Sequence, residues 1–277
     1  MEDKTINASG YLMSLKHPMV MGIINVTPDS FYAGSRVSSA DEVVDKADAM
    51  LREGADILDL GAQSTRPGAQ IISEKDEWER LSNVLPRLIK AFPQAVISID
   101  TFYASVARKA VECGVSIVND VSGGRMDEKM FSTVAELRVP YILMHSRGNA
   151  QTMQALTNYD DVVEDVLRFF HQKIDALRRL GHSDIIVDPG FGFAKTPQQS
   201  FDLLRAIDAL SILDVPMLAG VSRKSMVYKT LGVQPEDALH GTTALHMWCL
   251  LQGVRILRVH DVTAAKHVVE MHKQLCG

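Results

Sequence analysis

Apolar residues run unbroken from Met19 to Ile24, then give way to polar Asn25 and the turn-forming Thr27-Pro28-Asp29, in which Pro28 fixes its own φ and donates no N–H. Such a run predicts a strand buried on both faces, delivering Asn25, Asp29 and Phe31 into the loop beyond it. The pattern then switches period. Val43, Val44, Ala47, Met50 and Leu51 share one helical face, Ser39 with Glu42 has capping-box form, and Gly54 supplies the stop. A second strand follows over 55–61, and the alternation continues. Helices are expected near 74–91, 104–113, 127–137, 159–180, 197–210, 225–252 and 263–275, with a break between Gly232 and Pro235. Strands are expected at 95–101, 116–121, 140–145, 184–188, 216–221 and 255–260. Residues 3–18 form a short lead-in, read as a hairpin turning at Ser9-Gly10.

Eight strand–helix units without a linker or composition shift imply a parallel sheet, and eight fit a closed barrel. The reading is therefore α/β: one (β/α)8 TIM barrel spanning 1–277 behind a short N-terminal lead-in. A doubly wound open sheet shares the pattern, but no Gly-x-Gly-x-x-Gly follows the first strand. With 277 residues, 46% of them hydrophobic and 23% charged, the chain can bury a large core. A net charge of −5 offers no field for nucleic acid, so an anionic ligand must meet locally placed cations. Cys113, Cys249 and Cys276 match neither a disulfide framework nor a zinc site, and no membrane span or signal peptide is visible; a reducing cytoplasm is expected.

Barrel chemistry sits on the loops after the strands' carboxyl ends. Those ends carry Asn25, Asp59, Asp100, Asn119, His145, Asp188, Ser222-Arg223-Lys224, and Arg258 with His260. Any one of them is more readily a loop cap than a site residue, but eight converge on one mouth. Asp100, Asn119, Asp188 and the Lys224 ammonium can hydrogen-bond a planar heterocycle with donors and acceptors on its edge, such as an amino-pyrimidinone. Thr65, Arg66, Arg258 and His260 form an anion-seeking set, Arg offering a planar fork to phosphate oxygens. Asn25 can place a carbonyl oxygen on Mg²⁺, which usually keeps waters and bridges substrate phosphates. Ser222-Arg223-Lys224-Ser225 opens a helix whose free N–H groups favour an anion. Phe31, Pro67 and Phe193 can wall a slot for a flat ring. His145 reads as a satisfied buried histidine.

Seven ordered blocks resemble the dihydropteroate synthase family: Met21 to Phe31, Ser64-Thr65-Arg66-Pro67-Gly68, Ser98-Ile99-Asp100-Thr101, Asn119-Asp120, Asp188-Pro189-Gly190-Phe191-Gly192-Phe193, Ser222-Arg223-Lys224-Ser225 and Arg258-Val259-His260-Asp261. The resemblance implies a Mg²⁺-assisted transferase of folate synthesis. It would condense 6-hydroxymethyl-7,8-dihydropterin diphosphate with p-aminobenzoate, releasing pyrophosphate. By position, Asp100, Asn119, Asp188 and Lys224 would hold the pterin with Arg258 over its face. Asn25 would meet Mg²⁺ and diphosphate. Thr65, Arg66, Arg258 and His260 would meet the diphosphate, and Phe31, Pro67, Phe193 and Ser225 the p-aminobenzoate. Asp100, Lys224, Arg258, His260 and Arg66 are the implied catalytic set. The family also implies a homodimer and a sulfonamide target.

The chain departs from the family pattern at three places. Tyr32-Ala33-Gly34-Ser35 replaces the usual Ser-Asp-Gly-Gly, Gly61-Ala62-Gln63-Ser64 replaces Gly-Gly-Glu-Ser, and Ala194 stands where Gly often does. Losing one stabilising carboxylate corresponds to about 1–3 kcal/mol in the barrier, leaving an active enzyme. Two rivals remain. Pterin-binding methyltransferase domains share the barrel but need no diphosphate clamp, and a silent pterin-binding paralogue would not need both Asn25 and the clamp.

Overall fold

A computed structural model describes residues 4–8, 10–26, 36–63 and 70–276. Strand β1 (Thr5–Ala8) pairs antiparallel with β2 (Tyr11–Ser14), and Gly10, at φ +89°, makes the turn in a backbone region that glycine enters without strain. Among the described residues eight parallel strands follow: β3 (Met19–Asn25), β4 (Ile57–Gly61), β5 (Val96–Asp100), β6 (Ile117–Asp120), β7 (Tyr141–Met144), β8 (Ile185–Asp188), β9 (Leu218–Ala219) and β10 (Ile256–Val259). Their order is β8-β7-β6-β5-β4-β3-β10-β9. The ring closes at a parallel bridge between Val187 and Met217, where the Val187 N–H donates to Pro216 O at 2.9 Å. This is the expected barrel.

Among the described residues ten α-helices lie between and after the barrel strands: α1 (Arg36–Arg52), α2 (Glu74–Ser82), α3 (Leu85–Ala91), α4 (Ala104–Glu112), α5 (Met130–Leu137), α6 (Val162–Arg179), α7 (Pro197–Arg205), α8 (Ser225–Leu231), α9 (Leu239–Leu251) and α10 (Val262–Cys276). Four expectations need correction. The single helix near 74–91 is two, because Pro86 at the start of α3 lacks the N–H that a continuous helix would need and clashes with the preceding turn. The helix over 197–210 stops at Arg205, and a 3₁₀ turn carries the chain over Ile207–Leu213. Helix α1 already begins at Arg36, so Ser39 lies inside it and is not its N-cap. The strand at 216–221 shrinks to Leu218–Ala219.

The strands' period of two builds the interior in layers. Met21, Ile57, Ile117, Ile142, Ile186, Leu218 and Ile256 pack together inside, against Ile6, Ala8, Met13 and Leu15 of the hairpin segment. The hairpin therefore plugs the end of the barrel at which the strands begin. Neighbours such as Leu58, Val118, Leu143, Val187 and Leu257 point outward to the helices. Two residues beyond Ile57, Ile117, Ile142, Ile186, Leu218 and Ile256, the same face presents Asp59, Asn119, Met144, Asp188, Gly220 and Arg258. The polar site is the next layer of the same barrel.

Candidate active site

At the carboxyl ends of the strands, Arg258 is the hub. Its Nε donates to Asp59 Oδ2 at 2.7 Å and its Nη2 to Asp100 Oδ2 at 2.7 Å. Asn119 Nδ2 donates to the same Asp59 oxygen at 3.0 Å. One arginine thus spans three strands. Asp59 is fully buried, and among the described residues its Oδ1 has no hydrogen-bond partner. Sequence reasoning names Asp59 as a strand end but gives it no role; its phase, two residues after inward Ile57, is the available signal.

Asn119, Met144, Asp188, Phe193, Lys224 and Arg258 are among the residues lining a cleft of about 290 Å³. Asp188 Oδ1 accepts from the Gly190 N–H at 2.8 Å, and the Lys224 ammonium lies 4.1 Å from the Phe193 ring centre, a cation–π distance. An adjoining cleft of about 430 Å³ shares Val121 and Phe193 with it. Phe193 is the wall between two compartments. The structure therefore brings Asp100, Asn119, Asp188, Lys224, Arg258 and Phe193 together. Asn25 ends β3 exposed at the mouth. Phe31, Thr65, Arg66 and Pro67, with Asp29 and Ala33, lie outside the described residues.

The Ser222 to Ser225 block opens a helix, as expected: α8 starts at Ser225 and has seven residues, while Arg223 before it stands in the left-handed region at φ +54°. Arg223 is a fork on Asp261, with Nε to Oδ2 at 3.0 Å and Nη2 to Oδ1 at 2.6 Å. Ser222 Oγ sits 3.0 Å from His260 Nδ1. These contacts set the imidazole at the exposed rim beside Arg258. Loss of water around its ring, then the Arg258, Arg223 and Lys224 cations, push the His260 pKa down to about 4. The ring is therefore neutral at pH 7.

Burial controls the other charges as well. It raises Asp100 to about 7, with Asp59 and Asp120 adding to the rise and Arg258 and Lys224 opposing it. Asp188 is also raised by burial, against its Gly190 hydrogen bond and the surrounding cations. Burial and then Arg258 lower Lys224 to about 8, while Asp188 and Asp100 act the other way. A carboxyl group accepts two N–H bonds at once from a heterocycle edge only when ionised, and Lys224 carries its charge and third donor only when protonated. Affinity for a pterin is therefore expected to fall as pH drops through about 7 and as it rises through about 8. Calorimetric titration across pH 5.5–9 reads the bell; a flat profile contradicts it.

Gln63, the departure in the second loop, is buried and faces the backbone of Ile72, with Nε2 to Ile72 O at 3.1 Å and Ile72 N to Oε1 at 3.3 Å. An amide matches that donor and acceptor together; a carboxylate offers acceptors alone.

A barrel whose mouth holds buried carboxylates, an amide, a lysine and an arginine around one flat cleft defines a pterin-binding enzyme, and the family model described as pterin binding enzyme matches residues 21–260. The dihydropteroate synthase of Synechocystis is 42% identical over 92% of this chain and 89% of its own. The folic acid synthesis protein of Schizosaccharomyces pombe is 44% identical over 91% of this chain, which spans 36% of that longer protein. The Xanthomonas albilineans dihydropteroate synthase, solved with 4-aminobenzoic acid, superposes with a TM-score of 0.90 at 36% identity, covering 99% of this chain and 98% of its own. The chain belongs to the dihydropteroate synthase family.

Proposed function

We propose that this mouth joins 6-hydroxymethyl-7,8-dihydropterin diphosphate to p-aminobenzoate, giving 7,8-dihydropteroate and pyrophosphate. The convergence of Asn119, Asp188, Lys224 and Arg258 on one cleft, with Asp100 bonded to Arg258 behind it, carries the reading. Asp188 and Asp100 accept N–H groups from the amino-pyrimidinone edge, Asn119 and Lys224 complete it, and Arg258, fixed by Asp59 and Asp100, lies over the ring. His260 and Arg258 then face the diphosphate, and its negative charge draws a proton onto the imidazole. Phe193 and Ser225 would take the p-aminobenzoate.

The donor set fits a hard cation such as Mg²⁺: Asn25 offers an amide oxygen at an exposed strand end, beside groups suited to a diphosphate. Among the described residues no group of three His, Cys, Asp or Glu could hold a metal. When bound, Mg²⁺ would neutralise charge growing on the leaving pyrophosphate. As the carbon–oxygen bond breaks, Asp100 stabilises positive charge on the pterin methylene. The arylamine attacks that carbon with its own lone pair, unprotonated at neutral pH, and the resulting ammonium then gives its proton to water or to the departing pyrophosphate, so the attack needs positioning more than a base.

A homodimer in a reducing cytoplasm completes the proposal. The thiols of Cys113, Cys249 and Cys276 are free, and among the described residues no helix is long and apolar enough to cross a membrane. The test is coupled pyrophosphate release with both substrates, with Mg²⁺ and with chelator. Release with formation of dihydropteroate, lost on chelation, is expected. Folded protein without turnover at saturation overturns the activity, and pterin binding alone would make the chain a binding protein. Pyrophosphate release strictly dependent on p-aminobenzoate, with no trapped pterin cation, would refute departure before attack.

A further inference from the structure

One buried cation at the mouth has no part in the steps above. Lys195, between Phe193 and α7, is 2% exposed, yet among the described residues no carboxylate lies within hydrogen-bond reach of its ammonium. Its Nζ lies 2.8 Å from His145 Nδ1, 3.1 Å from Gly190 O and 3.2 Å from Phe193 O, with His145 O further off at 3.4 Å. Three protons thus have three acceptors, drawn from the loops after β7 and β8.

We infer that Lys195 is a positioning residue of the pterin site: its ammonium ties the loop after β7 to the loop after β8, setting Asp188 and the Phe193 ring against the ligand. The inference rests on the pterin-binding reading above. The connection to the ligand is short. Gly190 gives its carbonyl to Lys195 and its N–H to Asp188, and Phe193, whose carbonyl also binds Lys195, lines both clefts. The two loops touch: a Cβ on Gly190, which stands at φ +67°, would lie 2.1 Å from His145 O. Between the clamped residues, buried Ala194 holds φ +48°, a left-handed geometry that a side-chain-bearing residue keeps only when its surroundings impose it. A methionine would fill the same space without the desolvation cost of an ammonium, so packing alone does not explain a lysine here.

The charge state matters because a neutral amine has only two protons for three acceptors. Burial lowers the Lys195 pKa to about 7. The groups facing it are Asp188 of β8 and Asp165 of α6, which favour the ammonium, and Arg147 and Lys224, which oppose it. His145 is held neutral, its own pKa well below the usual range through burial and then Lys195, so Nδ1 accepts while Nε2, 3.5 Å from Asp165 Oδ1, carries the proton. Above about 7 the clamp therefore loses a donor and the loop loosens.

The experiment compares wild type with Lys195→Met by calorimetry, using 6-hydroxymethylpterin across pH 6–9. Wild type should bind with affinity falling on the alkaline side. Lys195→Met should bind roughly tenfold more weakly at pH 6.5, the loss of one or two hydrogen bonds to the loop, with its earliest alkaline decline removed. Equal affinity and an unchanged pH profile in the variant overturn the inference. Failure of wild type to bind overturns the pterin reading instead. If Lys195→Met does not fold, amide exchange of residues 190–194 in wild type decides: protection corrected for intrinsic rates should drop as pH rises through about 7, and constant protection refutes the clamp.

Discussion

Asp59→Ala is expected to lower the unfolding free energy by about 3–5 kcal/mol and to weaken pterin binding by at least roughly a hundredfold. The carboxylate lines neither cleft and reads at first as scaffold, yet two of the site's donors end on it. Without Asp59 Oδ2, the Nε of Arg258 and the amide of Asn119 lose their acceptor together, inside a region from which water is excluded. A buried guanidinium left with Asp100 alone carries half of its former compensation, and an orphaned amide donor adds its own desolvation cost. Asp59→Asn should be milder, because the amide oxygen still accepts; it will weaken Arg258 more than Asn119, since the charge is what the guanidinium needs. Urea unfolding and pterin calorimetry on both variants check this. Wild-type stability and affinity in Asp59→Ala would mean that Arg258 is held by Asp100 alone.

Why Asp59 escapes sequence reasoning shows what a single chain does and does not reveal. The alternation of apolar strands and amphipathic helices fixes the barrel, because burying a strand on both faces leaves few other architectures. Strand ends can then be read as the mouth, so Asp100, Asn119, Asp188 and Arg258 are legible together. Which polar residue faces inward depends on phase. Ile57 and Asp59 share the interior face with Ile117 and Asn119, and with Ile256 and Arg258, in the same two-residue step. Partnership is less visible. Arg258 looks like a free anion fork in the sequence, but two of its nitrogens are committed to carboxylates from β4 and β5, strands far away along the chain. Arg223 likewise turns to Asp261 instead of a ligand. Lys195 is invisible because a lysine after an apolar loop reads as solvent-exposed until the fold places His145 over it.

Glu77→Gln is expected to stabilise the fold, and by an amount that grows with pH. Glu77 on α2 is fully buried, and among the described residues neither carboxylate oxygen has a hydrogen-bond partner of ordinary geometry. Burial raises its pKa from 4.5 to about 7; Thr101, Gln63 and Arg80 resist the rise, and Asp100 adds to it. The folded state therefore holds a proton that the unfolded chain releases between pH 4.5 and about 7, so stability falls as pH climbs through that window. The penalty is absent below the window and complete above it, where it reaches roughly 3 kcal/mol. The neutral amide of the variant carries no such penalty. Thermal unfolding of the two proteins should nearly coincide at pH 4.5 and separate progressively toward pH 8, with the variant the more stable. The same physics accounts for Gln63: a second carboxylate beside Glu77 would raise both groups further, whereas the amide is neutral and pairs with Ile72 at both of its atoms. Gln63→Glu should accordingly destabilise the protein most at high pH, and Glu77→Gln in that background should recover much of the loss. A pH-independent difference between Glu77→Gln and wild type would show that Glu77 is already ionised in the fold, its charge met by Arg80.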